Sequence, residues 1–236
     1  MGRVRLVAWP AMFYTLAALG QRITSVIFDF GGVLGLPQDP DRVAAMASLC
    51  RLSPQAFLRL YQRDRLELDR GTLRADEYWR RLFSAGGVTP TPELISRIER
   101  EDALGWTRVN ARVVAWAAEL RGAGYRTAIL SNMPADKLAF MRRDNAFGWI
   151  NDFPVVVFSC DHLLVKPEPA IFRLCLDLLG EPPGACIFLD DTPANVIAAR
   201  DMGIAGQLFL TPEEAASALA GTWGLPVRSL VNGVHA

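Results

Sequence analysis

The sequence lacks a charge excess, a cysteine motif and a histidine cluster. Its 236 residues carry 25 basic and 25 acidic side chains, so nothing in the overall charge indicates nucleic acid or an anionic membrane as a partner. The four cysteines form no CxxC pair and no cluster with either of the two histidines, so neither a zinc site nor a redox pair is indicated. We interpret them as small buried residues in a reducing compartment and expect a cytoplasmic protein.

Long apolar runs are also absent after the N-terminus. The basic start MGRVR precedes an apolar stretch from Leu6 to Gly20, whose last three residues resemble a signal-peptidase cleavage site. The stretch is too short to span a bilayer comfortably, and Pro10 weakens a long helix. Residues 1–22 are therefore predicted to form an apolar extension, with a secretory signal or an early start codon as alternatives.

From Ile23 onward, short apolar runs alternate with amphipathic segments of helical length. Nearly continuous apolarity is what strands buried on both faces require, so these runs predict a parallel sheet. The predicted strands are 25–29, 126–131, 155–159, 186–190 and 207–210, and the predicted helices are 110–121, 135–145, 169–179 and 193–202. The alternation predicts a doubly wound α/β fold, whose ligands bind at the carboxyl ends of the strands.

The first two predicted strands lie much farther apart than the ~30 residues of a strand–helix–strand unit. Apolar residues recur there at helical spacing, from about Pro40 to Asp102. We therefore predict a core formed by 23–38 and 106–236, with an inserted α-helical cap at 39–105. The cap residues considered for facing a site at the strand ends are Gln62, Arg65, Tyr78, Trp79 and Arg80.

Polar side chains lie at or just after the ends of four predicted strands. They are Asp29, Ser131 with Asn132, Lys166, and Asp190 with Asp191. Three carboxylates around one lysine are costly to desolvate unless a cation or an anionic ligand completes the charge balance. Oxygen ligands suit Mg²⁺, and a hydroxyl beside an ammonium suits a phosphate or carboxylate. The pattern therefore predicts a site for a metal ion and a small anionic ligand.

The same strand ends carry four motifs: VIFDFGGVLG, ILSN, KPEPAIF and FLDDTPANVIAARDMGI. They resemble, in order and spacing, the motifs of the haloacid dehalogenase-like (HAD) hydrolase superfamily. The resemblance is greatest to the subfamily IA phosphatase branch that includes the N-terminal domain of soluble epoxide hydrolase. It covers about 23–220, and RGTLRADEYW is similar to part of the family's helical cap. It implies a Rossmann-like core and Mg²⁺-dependent hydrolysis of a small phosphomonoester.

The resemblance also implies a role for each motif residue. Asp29 would be the nucleophile, forming an aspartyl-phosphate that water then hydrolyses. Mg²⁺ would be bound by Asp29, the carbonyl of Gly31 and Asp191. Asp190 would be a further ligand or, in the preferred interpretation, a partner that holds waters and Lys166.

The groups that the resemblance implies for phosphate binding are Ser131, Asn132, Lys166 and the backbone of Gly31 and Gly32. Lys166 would also take part in catalysis by neutralising charge. Asn195 would orient the loop that carries Asp191, unless it is an ordinary helix residue.

Gly31 departs from the family pattern. Most family phosphatases have a second Asp there, which protonates the leaving group and later activates water. Loss of such a group costs about 10²- to 10⁴-fold in rate. A substitute could come from the cap, from Asp161 or from His162, and Gly31→Asp is expected to raise the rate on alkyl phosphates more than on aryl phosphates.

Two alternative functions remain open at this point. In a 2-haloacid dehalogenase, Asp29 would attack carbon and halide would leave without a proton, so Gly31 would do no harm. Such enzymes use no metal, whereas the pair Asp190 and Asp191 is typical of a retained metal site. The second alternative is a catalytically impaired protein that binds a phosphorylated ligand.

Overall fold

The computed structural model describes residues 22–232, and within that range five parallel strands form one sheet. The strands are β1 (Ser25–Phe28), β2 (Arg126–Ser131), β3 (Val155–Phe158), β4 (Cys186–Asp190) and β5 (Ala205–Leu208). Their order is β3-β2-β1-β4-β5, which places β1 at the centre between β2 and β4. The parallel sheet predicted from the sequence is confirmed.

In the described part of the chain, a short helical turn at Phe30–Leu34 and then five α-helices follow β1 before the core resumes. They are α1 (Pro40–Leu49), α2 (Pro54–Arg63), α3 (Arg65–Arg70), α4 (Ala75–Ala85) and α5 (Pro92–Gly105). The side chains of Asp39, Ser53 and Thr91 cap the first turns of α1, α2 and α5, each ahead of a proline. The inserted helices bury a hydrophobic cluster of their own, with Tyr78 and Trp79 at full burial.

The rest of the described chain contributes seven helices around the sheet. They are α6 (Ala111–Gly122), α7 (Ala135–Arg143), α8 (Ser159–His162), α9 (Pro169–Leu179), α10 (Pro193–Asp201), α11 (Pro212–Trp223) and α12 (Arg228–Asn232). Short 3₁₀ turns occur at Asn145–Asp152 and Pro183–Ala185. Val26 and Phe28 belong to a hydrophobic cluster shared with α6, α7, α11 and α12, whereas Ile27 packs with α9 and α10. Since successive strand residues point to opposite faces, the sheet is covered on both sides.

The fifth strand begins earlier than the apolar run 207–210 predicted. It starts at Ala205, and its first two residues pair with β4. Gly206 lies so close to α10 that a β-carbon there would be 2.6 Å from the backbone oxygen of Val196. The prediction was wrong because it required apolar side chains at a position where packing against α10 leaves room only for hydrogen.

Two linkers join the inserted helices to the core and run side by side. The Leu36 N–H donates to the carbonyl of Arg108, and the Asn110 N–H donates to the carbonyl of Leu34, both at 2.8 Å. Gly35 forms an antiparallel bridge with Val109 between them. This pairing holds the start of α1 and the end of α5 beside the carboxyl end of β1.

Among the helices between residues 22 and 232, none is both long and apolar enough to cross a membrane. The predicted extension 1–22 lies outside the described residues apart from Arg22. All four cysteines are free thiols, and Cys160 alone among them is not fully buried.

Candidate active site

The strand ends bring together the acidic residues and the lysine singled out from the sequence. Asp29 follows β1 directly, Asp190 is the last residue of β4, and Asp191 comes next. Lys166 lies in the loop before α9 and is 1% exposed. Its Nζ is 2.8 Å from Asp29 Oδ1 and 2.7 Å from Asp190 Oδ2. One ammonium group therefore pairs with carboxylates from two adjacent strands.

Asp190 is fully buried, and both of its carboxylate oxygens accept hydrogen bonds. The Thr192 N–H donates to Oδ1 at 2.8 Å, and Asn195 Nδ2 donates to Oδ1 and Oδ2 at 3.1 and 3.0 Å. This arrangement favours Asp190 as the group that holds Lys166. Asn195 was expected to orient the loop that carries Asp191. In the structure it holds Asp190, the residue before Asp191, because the first turn of α10 directs its side chain back to the end of β4.

One oxygen from each of Asp29, Asp190 and Asp191 lies within 4.8 Å of the others, a spacing that could hold a metal ion. Asp29 Oδ1 also accepts the Phe30 N–H at 2.7 Å, which fixes the orientation of this carboxylate. Three carboxylates face a single lysine here, so the cluster carries excess negative charge. A hard divalent cation such as Mg²⁺ would balance it.

Gly32 allows Asp191 to approach the loop after β1. Its φ is +73°, a conformation that other residues seldom adopt. A β-carbon at this position would lie 2.2 Å from Asp191 Oδ2. Both the backbone conformation and the close contact therefore require glycine.

The charge balance of the site is visible in its pKa values. Burial raises the pKa of Asp29 to about 7, and Asp190 and Asp191 raise it as well, against the lowering effect of Lys166. Burial and Asp190 also raise the pKa of Asp191. Although burial alone would lower it, Asp190 and Asp29 raise the pKa of Lys166, so its ammonium stays charged. A cation beside the three carboxylates would favour their ionised forms.

Four of the five residues that the resemblance implies for phosphate binding line the same cavity. Ser131 ends β2 and lines the cavity together with Gly31 and Asn132, whereas Gly32 contacts Asp191 and is not part of the lining. The side-chain amide of Asn132 is engaged elsewhere: it donates to the Lys166 carbonyl at 3.0 Å and accepts the Lys166 N–H at 2.8 Å. In this structure it fixes the Lys166 loop, and its contact with phosphate stays a prediction.

Trp106 occupies the space beside Gly31. A β-carbon on Gly31 would lie 2.9 Å from Trp106 Cζ3. The φ and ψ of Gly31 are −66° and 130°, which any residue can adopt, so the ring restricts this position and the backbone does not. The aspartate found in most family phosphatases has no room here unless Trp106 moves. The gain expected from Gly31→Asp therefore depends on Trp106.

Asp161 and His162, the other sequence candidates for the missing acid, lie on α8 with exposed side chains. Asp161 pairs with Arg142 at 2.8 Å. Neither residue lines the cavity, so the geometry does not support either one as the substitute.

A cavity of about 550 Å³ extends from the strand ends to the inserted helices. Gln62 and Arg65 line it, as two of the five cap candidates. Tyr78 and Trp79 instead lie in the hydrophobic cluster of the insertion, and Arg80 is exposed.

Trp106 and Lys137 are among the cavity residues that the sequence interpretation missed. Lys137 is 3% exposed although its side chain is charged. The rarity of lysine in this sequence could have indicated Lys137. Lys137 and Lys166 are the only lysines among the 25 basic residues of the chain, and both line this cavity.

The sequence has recognisable relatives. It matches the family model for haloacid dehalogenase-like hydrolase over residues 23–203. Bifunctional epoxide hydrolase 2 of Mus musculus is 29% identical over 196 residues, which are 75% of this chain and 34% of that protein, so this chain spans about a third of its length. A sesquiterpene phosphatase of Aspergillus oryzae is 28% identical over 187 residues, which are 79% of this chain and 89% of that protein.

Solved structures share the fold. A HAD family enzyme of Bacteroides thetaiotaomicron, in complex with magnesium and inorganic phosphate, superposes with a TM-score of 0.63 at 19% identity, covering 79% of this chain and 93% of that one. The L-2-haloacid dehalogenase of Xanthobacter autotrophicus, with chloropropionic acid covalently bound, superposes with a TM-score of 0.59 at 21% identity, covering 88% and 86%. The resemblance inferred from the four motifs is thereby confirmed, and the chain belongs to the haloacid dehalogenase-like hydrolases.

Proposed function

We propose that this hydrolase is a phosphatase that acts on small phosphomonoesters with Mg²⁺ as its cofactor. The observation that carries the proposal is the carboxylate cluster of Asp29, Asp190 and Asp191, paired to the buried ammonium of Lys166 at the strand ends. Phosphoryl transfer depends mainly on positioning and on neutralising the charge of the phosphoryl oxygens. A buried cation next to a carboxylate nucleophile supplies both.

The residues fit a magnesium ion. Asp29, Asp191 and the carbonyl of Gly31 would hold it with hard oxygen atoms, and Asp190 would hold Lys166. The excess negative charge of the cluster and the raised pKa of Asp29 are what a divalent cation would compensate. When bound, Mg²⁺ neutralises the phosphoryl group and so reduces its repulsion of the attacking carboxylate.

The chain's own groups perform the two displacements. The Asp29 carboxylate attacks phosphorus while the bond to the leaving oxygen breaks, which gives an aspartyl-phosphate; water then attacks phosphorus and releases Asp29. The Lys166 ammonium neutralises charge on Asp29 and on the phosphoryl oxygens. The Ser131 hydroxyl and the backbone N–H groups of Gly31 and Gly32 donate to those oxygens.

The relatives and the cavity support this proposal. One relative is named as a sesquiterpene phosphatase, and one solved structure of the same fold contains magnesium and phosphate. The cavity volume of about 550 Å³ lies within the usual range for small-molecule sites. Its aromatic and charged lining, which includes Trp106 and Arg65, is suited to an organic phosphate.

One observation favours a second function, the hydrolysis of a carbon–halogen bond. The Trp106 ring fills the space beside Gly31, where haloacid dehalogenases usually carry an aromatic side chain. Against this function stands the acidic pair at the end of β4, which a metal-independent dehalogenase does not need. The phosphatase therefore remains the preferred proposal.

The test measures phosphate release from p-nitrophenyl phosphate and a panel of alkyl phosphates, with and without Mg²⁺. Asp29→Asn should abolish release, whereas Asp177→Asn, a matched change on the exposed face of α9, should leave it unchanged. Metal-independent halide release from 2-haloacids would replace the phosphatase with the dehalogenase. If neither phosphate nor halide is released but the protein binds inorganic phosphate, it is instead a ligand-binding protein.

A further inference from the structure

Lys137 is a buried amine in the wall of the cavity. It lies on α7, which follows the end of β2, and its Nζ is 3.2 Å from Asp102 Oδ2 on α5. The same Nζ lies 4.7 Å from the centroid of the Trp106 ring. The same ring fills the space beside Gly31, so Trp106 contacts both Lys137 and the place of the missing aspartate, and all three residues line one cavity.

Asp102 is the counter-ion of Lys137. Its Oδ1 accepts hydrogen bonds from the Tyr61 hydroxyl at 2.6 Å and from Gln38 Nε2 at 3.0 Å, and Arg65 Nη1 lies 3.8 Å from its Oδ2. With 1% exposure, this carboxylate is shielded from solvent by the residues that it binds. The Lys137 ammonium forms an ion pair with this carboxylate but no hydrogen bond to it, so its three protons are available to a ligand in the cavity.

Charged groups face Lys137 from three helices. They are Asp102 on α5, Arg65 and Asp69 on α3, and Asp136 on α7. Burial and the Arg65 cation lower the pKa of Lys137 to about 8, against the opposite effects of the three carboxylates. An amine with that pKa can both give and take a proton near neutral pH, unlike an arginine.

Three other titratable groups that line the cavity are engaged in hydrogen bonds or ion pairs. Tyr61 donates to Asp102, and burial raises its pKa well above the usual range. Asp69 is paired with Arg65 at 2.8 Å. Lys166 is held between two carboxylates and stays charged.

We propose that Lys137 is the general acid and base of this site, in place of the aspartate that Gly31 lacks. The proposal rests on the proposed phosphatase function. In the first displacement, the P–O bond to the leaving alcohol breaks and the leaving oxygen takes a proton from the Lys137 ammonium. In the second, water attacks phosphorus and gives a proton to the neutral Lys137 amine, while the bond between phosphorus and Asp29 breaks. Each cycle thereby restores the ammonium.

The first test compares leaving groups at saturating Mg²⁺. Lys137→Met and Lys137→Arg should each lower kcat/KM on a primary alkyl phosphate by about 100-fold or more, because the alkoxide needs a proton. Both should change kcat/KM on p-nitrophenyl phosphate by less than about fivefold, because that leaving group is stable without a proton and kcat/KM does not include the later hydrolysis of the aspartyl-phosphate. The control Arg143→Met removes a cation from the exposed side of the same helix and should change neither rate.

The second test measures the titration of Lys137 directly. In protein labelled with ¹³Cε-lysine, the two lysines give two side-chain signals, and Lys137→Arg assigns them. One signal should titrate near pH 8, and the rate on alkyl phosphates should fall above that pH because the acid is then deprotonated.

The outcomes separate this proposal from the phosphatase itself. If the parent releases phosphate from p-nitrophenyl phosphate and Lys137→Arg keeps the alkyl rate, charge alone is needed and the proposal is wrong. Equal losses of kcat/KM on both substrates, or a Lys137 signal that titrates near pH 10, would also overturn it. A parent that is silent on every phosphate overturns the phosphatase, and the proposal with it.

Discussion

A single methyl group at Gly31 should destabilise the protein, and the same group should stabilise it once Trp106 is removed. The β-carbon of Gly31→Ala would lie 2.9 Å from Trp106 Cζ3, and overpacking of this kind costs about 1–3 kcal/mol. The backbone angles of φ −66° and ψ 130° are ones that alanine adopts without strain. Apart from the clash, the substitution should therefore add about 0.4–1 kcal/mol of stability, because alanine lowers the conformational entropy of the unfolded chain. The net loss in the parent should therefore be about 1–2 kcal/mol.

In the Trp106→Ala background the clash is gone, so Gly31→Ala should raise the free energy of unfolding by up to about 1 kcal/mol. Urea denaturation of the parent, both single variants and the double variant measures the coupling, which should be about 1.5–3 kcal/mol. Gly122→Ala, at a position with open space around it, should have the same effect in both backgrounds. If Gly31→Ala also has the same effect in both, within about 0.5 kcal/mol, Trp106 does not fill the place of the missing side chain.

Three further predictions concern the charged cluster. Lys166→Met should lower the free energy of unfolding by about 3–5 kcal/mol, because Asp29 and Asp190 would be buried without their cation; urea denaturation that shows under about 1 kcal/mol would contradict the pairing. Asn195→Ala should cost about 1–3 kcal/mol in the same assay, since Asp190 loses its two amide contacts, and an unchanged midpoint would show that the contacts are not needed. Mg²⁺ at a hundred times its Kd should stabilise the protein by about 2.7 kcal/mol in thermal unfolding, and Asp191→Asn should abolish that shift; an equal shift in the variant would place the ion elsewhere.

The fold could be predicted because short segments of the sequence specify its strands and helices. Continuous apolar runs separated by proline-started helices specify a parallel sheet, and parallel strands bring their carboxyl ends to one edge. Asp29, Ser131 and Asp190 therefore meet without any knowledge of packing. The α9 prediction matches the observed helix at both ends, since Pro169 starts it and Gly180 ends it in the left-handed conformation.

The substitutes around Gly31 could not be predicted in the same way. Trp106 and Lys137 reach the site only because the paired linkers and α7 bring the end of α5 against the loop after β1. No local sequence pattern predicts which aromatic ring packs into the space beside a glycine. Asn132 was expected to bind phosphate, and Asn195 was expected to orient the loop that carries Asp191. In the structure the Asn132 amide pairs with the backbone of Lys166 and the Asn195 amide with the Asp190 carboxylate, and this geometry depends on tertiary contacts.

The inserted helices keep a hydrophobic cluster separate from those that flank the sheet. Their connections to the core include polar contacts, such as the Arg70–Glu168 pair at 2.6 and 2.8 Å and the hydrogen bond from Ser159 to the carbonyl of Asp69. The inserted helices and the sheet thus each have a hydrophobic core of their own. Mutations can therefore remodel the insertion and the ligands that it admits, while the strand ends keep one unchanged chemistry.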